Sequence, residues 1–248
     1  MKNGNSAIIL QPRDRMLLER IAFLRLLTRD QIQLLAGFHS VSRVNVRLGK
    51  LRRAGLILRY YMASSSGSRR SVYALTRSGA LEIHSSPTLT KWRPDSALLG
   101  NSFATHQLAL NDLYIAAVNS ANIVWGAFQL PPIQSIPIIP DGCIQTEHQM
   151  LFVEMDLGTE SLNIWSRKVD LYLKLAVTGA HRQIAPYPHF GVLVVAIHED
   201  RLKSIRRQVA KQTQKLFWFQ TLSIIQRQGF WATSWLRTTG ETLSLPGA

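Results

Sequence analysis

The 248-residue sequence predicts a two-part protein of the α+β / α/β class: an N-terminal winged helix-turn-helix, then a larger α/β domain with a mixed sheet flanked by helices. Three observations predict it. Before residue 55, apolar residues recur at helical spacing in three successive segments, and two short β-type runs follow. Beyond residue 100, apolar runs of strand length alternate with amphipathic stretches. The charge is also divided: residues 1–93 hold 17 Lys/Arg against 4 Asp/Glu, whereas residues 94–248 hold 12 against 11. Like charges repel, so nearly all of the net +14 crowded into one third of the chain implies a polyanionic partner.

The elements of the first third follow from local chemistry. Arg13–Leu27 aligns Leu17, Ile21 and Leu24 on one helical stripe. Thr28-Arg29-Asp30-Gln31 is a capping-box pattern that opens a short helix with Ile32 and Leu35 inward and Gly37 as its stop. A third helix runs from about Val41 to Ala54 and ends at Gly55. At 100° per residue, Val41, Val44, Leu48 and Leu51 gather on one side, with Arg43, Val46, Lys50 and Arg53 on the other. A dry face opposite a cationic one is what a helix lying in the DNA major groove requires. Leu56–Tyr61 and Ser71–Leu75 read as strands joined by a small polar loop, Met62–Arg70, whose Arg69 and Arg70 suit phosphates or the minor groove. The expected base-reading set is Arg43, Asn45, Arg47 and Lys50, with Arg53, Arg69 and Arg70 completing the double-stranded DNA contact.

Residues 1–83 therefore form the first domain, which closes with a short helix from Thr76. Residues 84–100, rich in Ser, Thr and Pro and without apolar period, read as a linker, and residues 101–248 as the second domain. There the expected order is a helix Ala104–Asn119, strands Ile123–Phe128, Ile136–Ile144 and Met150–Leu157, and a helix Ser166–Val177. A strand Val192–Ile197, a helix Asp200–Phe219 and a strand Phe230–Leu236 follow. A composition of 46% hydrophobic and 18% charged residues supports a packed core. The single Cys143 allows no intrachain disulfide and fits a reducing, cytoplasmic setting. No apolar run approaches membrane-spanning length, so no membrane partner is expected.

Chemistry in the second part centres on acids. Asp141 follows Pro140 beside a strand, and Glu154 and Asp156 stand two apart on the next strand, so their side chains share a face. With Asp141 they could offer hard oxygen ligands to Mg²⁺, with Lys168 on the following helix assisting hydrolysis. No cofactor other than Mg²⁺ is indicated. The seven histidines are scattered, one cysteine makes zinc improbable, and neither a phosphate-binding Gly-rich loop nor a Gly-x-Ser-x-Gly elbow is present. No His-hydrophobe-His triplet of a tyrosine relaxase occurs either. Lys203, Arg207, Lys211 and Lys215 recur every four residues and read as a solvated helix face, the alternative being a second contact for DNA or an acidic partner.

The ordered set of motifs resembles the replication-relaxation family of plasmids and other mobile elements. The residues that carry the resemblance are Leu75-Thr76-Arg77-Ser78-Gly79 after the hairpin, His106 through Asn111-Asp112, and Pro140-Asp141-Gly142. Phe152-Val153-Glu154-Met155-Asp156-Leu157-Gly158-Thr159-Glu160 and Lys168…Tyr172 complete it. The resemblance implies a link to plasmid replication and DNA relaxation and a PD-(D/E)xK nuclease-like C-terminal part. That nuclease pattern places a lysine two residues after the acid. Asp156 occupies that slot here, so Lys168 would have to act from the helix. The expectation is a DNA-binding protein whose second domain pairs subunits as a homodimer or recruits replication, transfer or transposition proteins. The competing readings are a Mg²⁺-dependent nickase or endonuclease using Asp141, Glu154, Asp156 and Lys168, and an adaptor in a replication or transposition assembly.

Overall fold

Pro12 opens the first helix, where a missing N–H costs nothing, and the Gln11 N–H donates to the Asp14 carboxylate at 2.7 Å. The computed structural model describes residues 8–63, 69–83, 101–118, 124–126, 133, 136–147 and 149–245. The expected linker 84–100 and most of the hairpin loop lie outside the described residues. The chain divides into two compact units, Met1–Asn111 and Asp112–Ala248, and the architecture is mixed, with helices beside both antiparallel and parallel strands.

In the first unit, α1 (Pro12–Leu24) stops three residues earlier than its apolar stripe suggests. Arg25 takes φ 66°, the chain reverses, and Leu26–Thr28 becomes strand β1. The carbonyls of Leu24 and Leu26 at that reversal are answered by the Asn111 amide at 3.2 and 2.6 Å. The capping box forms as read: the Thr28 hydroxyl accepts from the Gln31 N–H, and the Gln31 side chain accepts from the Thr28 N–H, opening α2 (Arg29–Leu35). Ser40 caps α3 (Val41–Arg53), whose Val44, Leu48 and Leu51 are buried. Val41, expected inward, is exposed, because the first turn of α3 extends past the core.

Strands β2 (Ile57–Ala63) and β3 (Arg69–Leu75) are longer than expected at the hairpin end. Arg70 and Arg69 pair with Met62 and Ala63, so they belong to a strand and not to the loop. The three strands form an antiparallel sheet in the order β1-β3-β2. Next, α4 (Arg77–Glu82) is capped by Thr76, whose hydroxyl accepts from the Gly79 N–H and donates to the Gly55 carbonyl at 2.6 Å. A Cβ at Gly79 would lie 2.1 Å from the Leu56 carbonyl oxygen, so only glycine lets the helix rest on that turn. The first half of α5 (Asn101–Val118), expected with the second domain, folds with the first unit. Ala104 and Leu108 pack on Leu26 and Val72, and the Leu108 carbonyl accepts from the Gln31 amide at 3.0 Å.

The second unit holds a seven-stranded sheet in the order β10-β9-β8-β7-β6-β5-β4. Its strands are β4 (Val124–Gly126), β5 (Gly142–Gln145), β6 (Met150–Asp156), β7 (Phe190–Ala196), β8 (Phe217–Thr221), β9 (Trp235–Arg237) and β10 (Thr242–Leu243). β6, β7 and β8 run parallel, and the remaining pairs are antiparallel. The parallel pairs need crossovers, supplied by α6 (Leu162–Thr178) and α7 (Glu199–Ala210). Phe152, Val192, Val194, Phe217 and Phe219 share one core with Trp165, Val169, Tyr172, Leu202 and Ile205 of these helices.

Three expected boundaries shift. Of Ile136–Ile144, only Gly142 onward pairs as β5, and of Phe230–Leu236 only the last two residues enter β9. The helix expected over Asp200–Phe219 ends at Ala210, and Phe217-Trp218-Phe219 forms β8 instead. Leu216 at φ 69°, six residues past the helix end, leads into β8, where Phe217, Trp218 and Phe219 are all buried. A further helix, α8 (Leu222–Gln228), follows it. Among the described residues, no helix is long and apolar enough to cross a membrane.

The Gly79 contact predicts that Gly79→Ala lowers unfolding stability by about 2 kcal/mol or more, since a backbone carbonyl cannot move aside as a side-chain tip can. Urea denaturation of the two proteins measures it, and an unchanged midpoint would contradict the packing described.

Candidate functional site

Two arrangements concentrate polar chemistry, one in each unit. In the first, α3 exposes Arg43, Asn45, Lys50 and Arg53. Arg52 is exposed beside them, a cation the sequence reading omitted. Arg47 differs. Its Nε donates to Asp14 Oδ1 at 2.5 Å, a second guanidinium nitrogen donates to Oδ2, and the same nitrogen reaches the Ile9 carbonyl at 3.1 Å. Asp14 is buried, so this pair ties α3 to α1, and the Arg47 guanidinium is committed inside the unit. On the hairpin, Arg69 and Arg70 are exposed at successive strand positions and so face opposite sides of the sheet. Arg59 lies 4.9 Å over the ring of Tyr61, which is exposed as well. Asp14, Arg59 and Tyr61 carried no local signal; Asp14 looks like an ordinary first-turn acid until its partner 33 residues away is known.

In the second unit, Glu154 and Asp156 continue the row that Met150 and Phe152 begin on β6, under α6 and α7. Glu154 Oε1 accepts from the Tyr172 hydroxyl at 2.6 Å, and Oε2 accepts from Lys168 Nζ at 2.9 Å. Lys168 also reaches Glu160 at 2.9 Å and stands 5.1 Å over the Trp165 ring. Asp156 is held from four directions. Arg201 donates two parallel bonds of 2.8 Å, Trp165 Nε1 one of 2.8 Å, and the Gly158 N–H one of 2.6 Å. Asp141 accepts the Met155 N–H at 2.8 Å, which brings its charge toward Glu154. The structure thus gathers Asp141, Glu154 and Lys168, and it gives Asp156 a separate partner set built on Arg201, which sequence spacing could not reveal.

The acids differ in electrostatics. Burial lifts the Glu154 carboxyl from 4.5 to about 7; the Lys168 ammonium opposes this and the Asp141 charge adds to it. Burial works against the Lys168 ammonium too, but the charge of Glu154, with help from Glu160, outweighs it and raises its value. Burial also pushes Asp156 up, yet the Arg201, Trp165 and Gly158 hydrogen bonds prevail and hold it below the usual carboxylate range.

A shared Mg²⁺ centre of Asp141, Glu154 and Asp156 does not fit this donor set. An ionised carboxylate offers about four lone-pair positions, and four protein hydrogens already converge on Asp156. Both oxygens of Glu154 are likewise engaged. Among the described residues, no three His, Cys, Asp or Glu side chains stand close enough to hold one metal ion. What the arrangement does do is pin α6 and α7 to the carboxyl end of β6.

Two outcomes follow. Replacing Arg201 by Leu leaves Asp156 as an unanswered buried charge and lowers stability by about 3 kcal/mol, measured by urea unfolding at neutral pH. Glu154 has a folded value above its ordinary one, so its stabilising effect is complete below about pH 4.5 and is lost as pH rises through about 7. Stability measured across that window therefore declines with rising pH by an amount that Glu154→Gln abolishes; an identical slope in both proteins would refute the assignment.

A family model described as replication-relaxation matches residues 18–186, from within α1 to just past the turn that follows α6. No curated protein and no solved structure matches the chain. Arg201 and Asp14, which anchor the two charge clusters, both lie outside the matched stretch. The match covers more than half of the sequence, and the chain belongs to the replication-relaxation family.

Proposed function

We propose that this is a double-stranded-DNA-binding protein of a plasmid or other mobile element, acting in replication, in DNA relaxation or in their regulation. Its first unit serves as a winged helix: α2 and α3 form the helix-turn-helix, and β2 and β3 form the wing. The observation that carries the reading is the division of α3. Val44, Leu48 and Leu51 are spent on the core, and Arg43, Lys50, Arg52 and Arg53 are all left outward. Arg59 and Arg69 add exposed cations on one face of the hairpin, and Arg70 adds one on the other. Arg47 acts here as a positioning residue, since its pairing with Asp14 fixes the angle at which α3 leaves α1. Family membership supports the biological setting.

The second unit, in this reading, is a nuclease-like scaffold that pairs subunits or recruits replication, transfer or transposition proteins in the cytoplasm. The occupied carboxylates favour that role over Mg²⁺-dependent cleavage, because Asp156 is already claimed by a guanidinium fork.

Electrophoretic mobility shift on duplex DNA tests the proposal. If about 5–8 phosphates are neutralised, log K falls with log[salt] at a slope of roughly −5 to −7. Changing Arg43, Lys50, Arg69 and Arg70 together to Ala weakens binding at every sequence tested and flattens that slope. A slope near zero, or a quadruple variant that binds like the parent, would overturn it. Supercoiled plasmid incubated with protein and Mg²⁺ stays supercoiled in this reading; open circles lost on Glu154→Ala would transfer the role to the competing nickase.

A further inference from the structure

We propose that Val46 is the sequence-determining residue of the DNA surface, packing its isopropyl group against the 5-methyl group of thymine on the floor of the major groove. The inference rests on the DNA-binding reading above and names which duplexes that surface prefers.

Val46 is left outside the core. It is 59% exposed, in the middle of a 13-residue helix, and lies opposite the buried Val44, Leu48 and Leu51. A β-branched residue is a mediocre choice for an exposed helical position, because its side chain loses rotamer freedom there and gains no burial. The residue next to it on the same outer ridge is Gly49, and nothing lies within 4 Å of where a Cβ would sit. Packing within the protein therefore does not require glycine, the poorest helix former after proline. The pair leaves a shallow strip along the outermost line of α3, with one apolar group standing on it.

The setting of that group selects its partner. Arg43 and Lys50 flank it on one side, Asn45 and Arg52 on the other, and Arg53 follows one turn beyond Gly49. An apolar protein partner would have to desolvate this ring of cations to reach Val46. A DNA groove instead offers phosphates to the cations on both walls. Its width of about 12 Å admits a helix, and its floor carries a single kind of apolar group, the thymine methyl. Asn45 beside Val46 brings an amide suited to the N6 and N7 edge of adenine, so A·T-containing steps match both residues. Cations held on phosphates supply affinity without sequence preference; Val46, with Asn45 beside it, supplies the choice.

The test uses the full chain and begins with sites selected from a randomised duplex library. Selected sites are expected to hold a thymine at a fixed position. Replacing that thymine by deoxyuridine, which removes only the methyl group, is expected to weaken wild-type binding about threefold to fivefold. Val46→Ser should bind the thymine and deoxyuridine duplexes equally while keeping the parental salt slope. Should wild-type protein bind both duplexes alike, or select sites without a fixed thymine, this proposal fails and the electrostatic reading survives through its salt slope. Absence of any salt-dependent duplex binding would defeat the DNA reading itself. A Val46→Ser variant that alters self-association and retains the methyl preference would assign the residue to a protein contact and overturn the proposal. The deoxyuridine comparison uses only wild-type protein, so a variant that fails to fold leaves it intact.

Discussion

A carboxylate taken out of water has to be met by a cation, and each acid buried among the described residues is met by one from a different element. Among the described residues, Asp14, Glu154 and Asp156 are the buried carboxylates, answered by Arg47, Lys168 and Arg201. Such pairs add little net stability compared with a well-packed apolar core, but losing one partner is severe. Their value is therefore geometric. Asp14–Arg47 sets α3 against α1, Glu154–Lys168 sets α6 against β6, and Asp156–Arg201 sets α7 against β6. The remaining cations of α3 and the hairpin are released from structural duty by this arrangement.

How far the sequence could be read depended on distance along the chain. The Thr28–Gln31 capping box forms as its spacing implies, and the inward face of α3 does so at Val44, Leu48 and Leu51 though not at Val41. Glu154 and Asp156 also share a face, because strand alternation is a local rule. One failure arose where a local pattern continued past a non-glycine residue in a left-handed conformation. Arg25 breaks an apolar stripe that reads as helix, and β1 follows it. Non-glycine residues seldom adopt that conformation, so the position is not marked in sequence. The ion pairs were hidden for another reason: Arg47 and Arg201 sit 33 and 45 residues from their acids, and nothing in a one-dimensional pattern separates a paired arginine from a solvated one.

The same accounting of charge distinguishes the two units chemically. In the second unit the acids of β6 and the bases of α6 and α7 satisfy one another, which agrees with the near-neutral balance of residues 94–248. In the first, Arg47 and Arg29 meet acids, and Arg43, Lys50, Arg52 and Arg53 stay exposed on the outward face of α3. Glu154 and Asp156 thus have their oxygens engaged by arginine, tryptophan, tyrosine, lysine and a backbone N–H.

Thr76 and Gly79 have a consequence of their own. By holding the Gly55–Leu56 turn between α3 and the hairpin, they fasten the far end of α3 without using any of its outward side chains. The helix is thereby held at its far end, at Arg47 in its middle and along its buried edge, with its outer positions exposed. Those positions form an interchangeable cassette: substitutions there alter the outward chemistry of the unit and leave its scaffold untouched.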